Sequence, residues 1–304
     1  MKFSDRSWCR EGLGAAAREA LSSGMPASEL WSLLLGVLEQ RAKQRTPASL
    51  RHQWARDRFV QPCYVDQRTL NELDAHLLAA ATAFESIELS PLAPLGVSSA
   101  VALASQNKIV STIRGTEVVS DPTNVLALEC AKRLQADPGA HVSLATSHRC
   151  VRAQAVPKLP GFAAHFRMFC LVSAGHERGS HGFLVEALSE HIRTQLAALA
   201  RLEEHGYAFG ERTVKLFATD RFATHAKRVA AAVDGVPIAH APLAHDYYDG
   251  IRFNVFVRTP SGDEIPFIDG GAFDWLRKLM SNDKMVFVAS AMGSQLAAFL
   301  FRKT

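Results

Sequence analysis

His245-Asp246-Tyr247-Tyr248-Asp249-Gly250-Ile251-Arg252-Phe253, followed by Asp269-Gly270-Gly271-Ala272-Phe273-Asp274, is the stretch around which the rest of the chain is organised. A polar, aromatic turn (HDYYDG) runs into an apolar strand, FNVFVRT. Pro260-Ser261-Gly262-Asp263 turns the chain back, and EIPFID returns as a second strand. The local pattern then predicts a corner at Gly270-Gly271 that opens a helix over 273–280. Two tyrosines, two flanking aspartates and a glycine pair at the mouth of a hairpin suit a small-molecule pocket. Ordinary hairpin and turn chemistry accounts for the same residues without a ligand.

Composition bounds the setting. A chain of 304 residues holds one large domain, or one with a small extension. Hydrophobic residues at 48% and charged residues at 21% are the balance of a soluble globular protein. No apolar run approaches the roughly 18–20 residues of a membrane helix. The N-terminus, MKFSDRSWCREG, lacks the apolar core of a secretion signal, which predicts a cytoplasmic location and no membrane partner. Cys9, Cys63, Cys130, Cys150 and Cys170 are scattered and never paired as C-x-x-C, which argues for reduced thiols and no metal site. A net charge of +4, not gathered into runs, permits an RNA partner without indicating one.

Working outward to the N-terminus, residues 8–22 and 27–45 read as helices broken at Ser22-Ser23-Gly24-Met25-Pro26. Leu30, Leu33, Leu34, Val37 and Leu38 recur at helical spacing. Such a stripe serves either as a docking or dimerisation arm or, the preferred reading, packs on the chain's own domain. Residues 1–56 are thus an N-terminal helical extension to a domain over 57–304, with 45–65 as a basic connector. Asp66 caps a helix (DQRTLNELDAHLLAAATA), and a strand in FESIELSPLAPLG ends at Pro91. A strand pair, NKIVSTIRGTEVVS, leads to Asp121-Pro122-Thr123-Asn124, which caps the helix VLALECAKRL. HVSLATSHRCVRAQ and HFRMFCLVSAG are strands joined by a loop through Pro157 and Pro160-Gly161. A long amphipathic helix, a strand ending at Asp220 and the helix FATHAKRVAAAVDG complete the path back to the opening stretch. The chain ends in a strand and a helix, MVFVASAMGSQLAAFLF. Strands and helices in this order predict an α+β domain with a mostly antiparallel sheet flanked by helices.

DYYDGIRF, IPFIDGGAFDWL, DPT and the strand bearing Arg152 occur in an order that resembles the catalytic domain of histidyl-tRNA synthetases, and hence a class II aminoacyl-tRNA synthetase-like fold. The resemblance covers roughly 60–304. It implies a homodimer, with the helix–strand–Pro91 element at the interface, and an amino-acid pocket. It places Asp121 and Thr123 opposite the substrate ammonium, although a helix cap explains Asp121 equally well. Tyr247, Tyr248, Gly270 and Gly271 would line the pocket, and Arg152 would grip the carboxylate and the ATP α-phosphate as the catalytic cation. Gln154 stands where the family has a glutamate. No arginine remains in the loop stretch Phe162-Ala163-Ala164-His165, although Arg167 follows within the strand. Leu243 and Leu296 occupy two further arginine places, and Ala272-Phe273 replace an Arg-Tyr pair. His245 and Arg252 are nearby cations that would substitute, with Arg252 a cofactor contact and His245 equally readable as structural. No anticodon-binding domain follows, which argues against a tRNA substrate.

The implied function is binding of an amino acid or similar small carboxylate, with Mg-ATP activating it for transfer to a small amine or a carrier. Three of four arginine places are non-basic, and each missing cation removes a few kcal/mol of transition-state stabilisation. The alternative is a non-catalytic sensor resembling the regulatory subunit of ATP phosphoribosyltransferase, coupled to a partner enzyme. A vestigial pocket is the third reading, weakened by the cost of keeping buried carboxylates unpartnered.

Overall fold

The computed structural model describes residues 14–156 and 162–303. Helix α1 (Ala15–Glu19) widens into a π turn (Ala20–Gly24) and is followed by α2 (Ala27–Lys43). The earlier part of the first expected helix lies outside the described residues. None of these helical residues is buried, and Leu33, Val37 and Leu38 are each nearly half exposed. Leu30, Trp31 and Leu34 are half-buried, and the Trp31 ring lies 3.8 Å from where a Cβ on Gly115 would stand, so α2 touches the domain without entering its core. A helical period records a face with something to cover, and it does not specify the covering surface. The expected connector contains a helix, α3 (Pro47–Trp54). Thr46 and Ser49 form a reciprocal capping box around Pro47 at the first helical position.

Asp66 caps α4 (Gln67–Ala80) by accepting from Arg68 N and Thr69 N. After β1 (Glu85–Ser86), strands β2 (Leu92–Pro94) and β3 (Thr116–Val118) form a small antiparallel strap. Thr112 N donates to Thr116 O and Val118 N to Val110 O, so the expected turn at Gly115 forms. β3 takes β2 as its regular partner, and Ser111 and Glu117 form an isolated bridge. Next come α5 (Pro122–Ala136), β4 (Val142–Val151), β5 (His165–His176), α6 (Gly182–Glu204), β6 (Arg212–Ala218) and α7 (Ala223–Ala231). An edge strand absent from the sequence reading, β7 (Ile238–Pro242), precedes the hairpin β8 (Ile251–Arg258) and β9 (Glu264–Phe273). α8 (Trp275–Met280), β10 (Met285–Met292) and α9 (Ser294–Leu300) complete the chain.

Eight strands form one sheet in the order β1-β4-β5-β10-β9-β8-β6-β7. Every pairing is antiparallel except β1 with β4 and β6 with β7, at the two edges. Side chains alternate across a strand, so neighbours serve opposite faces. Phe169 and Leu171 join a core with α4, α6, α7 and α9, whereas Cys170 and Val172 join one with α5 and α8. The sheet is thereby covered on both faces.

Gly270 and Gly271 are not a corner. They lie inside β9, opposite Ser290 and Ala289 of β10 and Phe253 and Arg252 of β8. A Cβ on Gly270 would stand 2.6 Å from Ser290 Cβ and 2.7 Å from the Phe253 ring. Glycine here permits close approach of neighbouring strands, and the following helix starts two residues later than expected, at Trp275.

Candidate functional site

The first turn of α5, the chain just past β4, the turn before β8 and the middle of β9 converge on a cavity of about 430 Å³. Asp121 is placed by the local code of its own helix. Its backbone is extended, Pro122 occupies the first helical position, and Oδ1 accepts from Thr123 N at 3.0 Å and Thr123 Oγ1 at 2.8 Å. The other oxygen, Oδ2, faces Arg152 Nη2 at 3.5 Å. The same carboxylate thus caps the helix and lines the cavity, with Thr123 beside it.

Arg152 follows the last residue of β4, and its backbone N–H bonds Ala164 O. Nε donates to Ser120 O at 3.0 Å, and the guanidinium lies 5.1 Å from the centre of the Phe166 ring. These contacts aim a fixed planar cation across the cavity at Asp121. Gln154, two residues on, is exposed at the rim.

Tyr247 and Tyr248 meet edge to face with ring centres 5.1 Å apart. Burial, followed by the Asp121 charge, raises the Tyr247 phenol. Burial, followed by the Asp269 charge, raises that of Tyr248. Both are neutral donors at physiological pH. Gly270 contributes backbone to the wall, and the Cβ it lacks would point to the opposite face of the sheet, into Phe253 and Ser290.

Asp121, Thr123, Arg152, Gln154, Tyr247, Tyr248 and Gly270 therefore share one cavity. Gly271 packs beneath Tyr248 and against Ile251 O, away from it. Arg252 and His245 also lie outside the lining. A two-point fork ties Arg252 to Asp269, with Nε–Oδ1 at 2.9 Å and Nη2–Oδ2 at 3.2 Å, and Nη1 donates to His245 Nε2 at 3.3 Å. Arg167 is tied to Asp74 on α4. Arg149 donates to His165 Nδ1 and Gln295 Oε1, so these groups knit β4, β5 and α9 together.

Three contributors escaped the sequence reading. Lys108 lines the rim, Asn124 adjoins Thr123, and Ser290 lies against Gly270 across the β9–β10 ladder. The signal for Ser290 is a polar residue inside the apolar run MVFVASAM. Ser290 Oγ meets His191 Nδ1 at 2.9 Å and receives Gln195 Nε2 at 3.1 Å. His191 Nε2 meets Ser173 Oγ at 3.1 Å, and burial lowers the imidazole to about 3, so it is neutral. Glu117, also buried, accepts from Gly96 N, Ser98 N and Gln106 Nε2, which pins the loop that carries Lys108. Those hydrogen bonds outweigh its burial and hold the carboxyl below its ordinary range.

A smaller cavity of about 300 Å³ adjoins the first, sharing Arg152, Gln154 and Met168 and walled by Phe166, Val156 and Leu296. No group of three or more acidic, histidine or cysteine residues suited to a metal occurs among the described residues. No helix among them is long and apolar enough to cross a membrane.

Against known proteins, no family and no curated sequence matches the chain. Solved structures do. Histidyl-tRNA synthetase from S. aureus superposes with a TM-score of 0.59 at 14% identity, over 80% of this chain and 68% of that one. A structure described as an ATP phosphoribosyltransferase regulatory subunit/histidyl-tRNA synthetase from Bacillus halodurans gives 0.57 at 13%, over 79% and 82%. A histidine–tRNA ligase subunit from Alicyclobacillus acidocaldarius gives 0.57 at 13%, over 84% and 96%. The chain has the class II synthetase-like α+β fold.

Proposed function

We propose that this protein binds an amino acid, or a similar small zwitterionic carboxylate, in the Asp121–Arg152 cavity. The observation that carries the reading is the charge pair itself: a carboxylate and a guanidinium, each partly exposed, face one another 3.5 Å apart inside a cavity of about 430 Å³. A zwitterion entering between them presents its ammonium to Asp121 and its carboxylate to Arg152, exchanging one ion pair for two. Thr123 and the neutral tyrosines add hydrogen bonds.

Binding is favoured over ATP-dependent activation by the fate of the cation positions. Leu243 packs with the α5–α8 core, Leu296 walls the smaller cavity, and His165 is engaged by Arg149 and Gln61 O. Among the described residues of both cavities, Arg152 is the one guanidinium facing Asp121, and Arg167 is held by Asp74. A triphosphate with Mg²⁺ asks for several preorganised cations and carboxylates, and these walls fit it poorly. A sensing or regulatory role, of the kind named for the Bacillus halodurans structure, is consistent with a pocket that keeps its amino-acid side and lacks its nucleotide side.

Thermal unfolding against the twenty amino acids, each with and without Mg-ATP, tests this. A ligand at a hundredfold excess over its dissociation constant adds about 2.7 kcal/mol. A shift from one amino acid that is indifferent to ATP is expected. A shift that requires or grows with ATP would establish activation instead, and no shift from any of them would refute the reading.

A further inference from the structure

Lys108 stands at the rim of the cavity on a short helical turn, Gln106–Lys108. Its backbone is fixed on both sides. Lys108 O accepts from Ala153 N at 2.7 Å, next to Arg152, and Gln106 Nε2 donates to Glu117 at 2.9 Å. The side chain is exposed and forms no ion pair among the described residues.

The lining holds two cations, Lys108 and Arg152, and two carboxylates, Asp121 and Asp269, but Asp269 is also claimed from outside the lining by Arg252. Asp121 faces Arg152. Among the described residues, Lys108 is left as a cation with no ion-pair partner. A zwitterion between Asp121 and Arg152 is itself neutral and leaves that cation untouched. An anionic group on the ligand's far end would complete the set, and a flexible ammonium suits an anion whose position varies with chain length.

Resting on the head-group reading above, we infer that the ligand is an amino-acid-like zwitterion carrying one further anionic group, a second carboxylate or a phosphate, received by Lys108. The inference concerns the unassigned end of the cavity. The partly solvated rim limits the gain to about fivefold to tenfold in affinity, the scale of one charge-assisted contact near water.

The test is thermal unfolding of the full chain at constant ionic strength with matched pairs: L-glutamate and L-glutamine, L-aspartate and L-asparagine, O-phospho-L-serine and L-serine. Wild type, Lys108→Met and Lys108→Arg are compared. In wild type, at least one acidic member is expected to act at a fivefold to tenfold lower concentration than its neutral twin. Lys108→Met should close that gap, and Lys108→Arg should keep it. Which pair responds separates a carboxylate from a phosphate. Neutral members that equal their acidic twins in wild type, or a gap that survives in Lys108→Met, would overturn the inference and leave the head-group reading standing. Failure of every member to bind would overturn this inference, and the head-group reading is then decided by the twenty-amino-acid screen.

Discussion

Replacing Gly271 by alanine inserts a methyl where three neighbours already meet. The new Cβ would lie 2.6 Å from Ile251 O, 2.6 Å from Tyr248 Cδ1 and 3.0 Å from Arg252 Cα. Two of these atoms are backbone of β8, which pairs with Gly271 through Arg252 and is held on its other edge by β6. Strand β8 therefore retreats only by loosening a ladder on one side or the other. Tyr248 is equally constrained, packed on Phe273 with ring centres 4.9 Å apart and hydrogen-bonded to Asp269.

Inserting a methyl into a well-packed interior costs about 1–3 kcal/mol, and the rigid backbone on one side puts Gly271→Ala towards the upper end. An unfolding entropy of about 2.1 cal/mol/K per residue gives roughly 0.6 kcal/mol/K for 304 residues. A loss of about 2.5 kcal/mol then lowers the midpoint by roughly 4 °C. Because Tyr248 is one of the atoms displaced, ligand affinity should fall as well. Urea and thermal unfolding provide the assay, with Gly36→Ala as a control inside α2. No heavy atom lies within 4 Å of the Cβ added there, and alanine should be neutral or stabilising by up to about 1 kcal/mol. A Gly271→Ala protein with the wild-type midpoint and the wild-type denaturant slope would refute the close-packing account.

Two further outcomes follow from the site. Arg152→Ala should remain folded, since its pair with Asp121 is a quarter to a third exposed and such pairs contribute at most about 1 kcal/mol. Calorimetry on that variant should show ligand affinity reduced at least tenfold, and unchanged affinity would remove Arg152 from the site. His191 is held near 3 in the folded state against 6.5 when unfolded, so as pH falls the unfolded chain takes up the proton first. Its contribution to stability is complete above about pH 6.5 and erodes between there and about pH 3. His191→Gln should shrink the difference between urea midpoints at pH 7.5 and 4.5, and an unaltered difference would count against it.

How much of this was legible in the sequence depended on where the determining contacts lie. Asp66 and Asp121 were readable as caps because a cap is decided within three residues. The β8–β9 hairpin was readable because its turn chemistry and its apolar strands are local. Gly270-Gly271 was misread as a corner for the complementary reason. Local sequence records only that side chains are missing, whereas the atoms that exclude them belong to Ser290, Phe253, Tyr248 and Ile251. Ser290 and Lys108 reach the cavity through strand pairing and loop anchoring across long separations, and neither carries a motif. Arg252 and His245 stood close to the tyrosines in sequence, yet Arg252 is drawn to Asp269 and out of the lining.

The distribution of charge across the sheet ties these observations together. Arg149, Arg167 and Arg252 are all near the site, and each has been taken up by a partner that stitches elements together: Gln295 and His165, Asp74, and Asp269. At two positions where the resemblance expects arginine, leucine packs against the cores. Both leucines are half-buried against those cores, so a guanidinium there would give up apolar packing and part of its hydration. Restoring arginine at Leu296 alone should therefore destabilise the protein rather than create a nucleotide site. Arg152 and Lys108 line the cavity, and Lys108 O is bonded by Ala153 N next to Arg152, whose guanidinium faces Asp121. The proposed amino-acid pocket thus keeps its own charge pair while the neighbouring arginines are spent on structure.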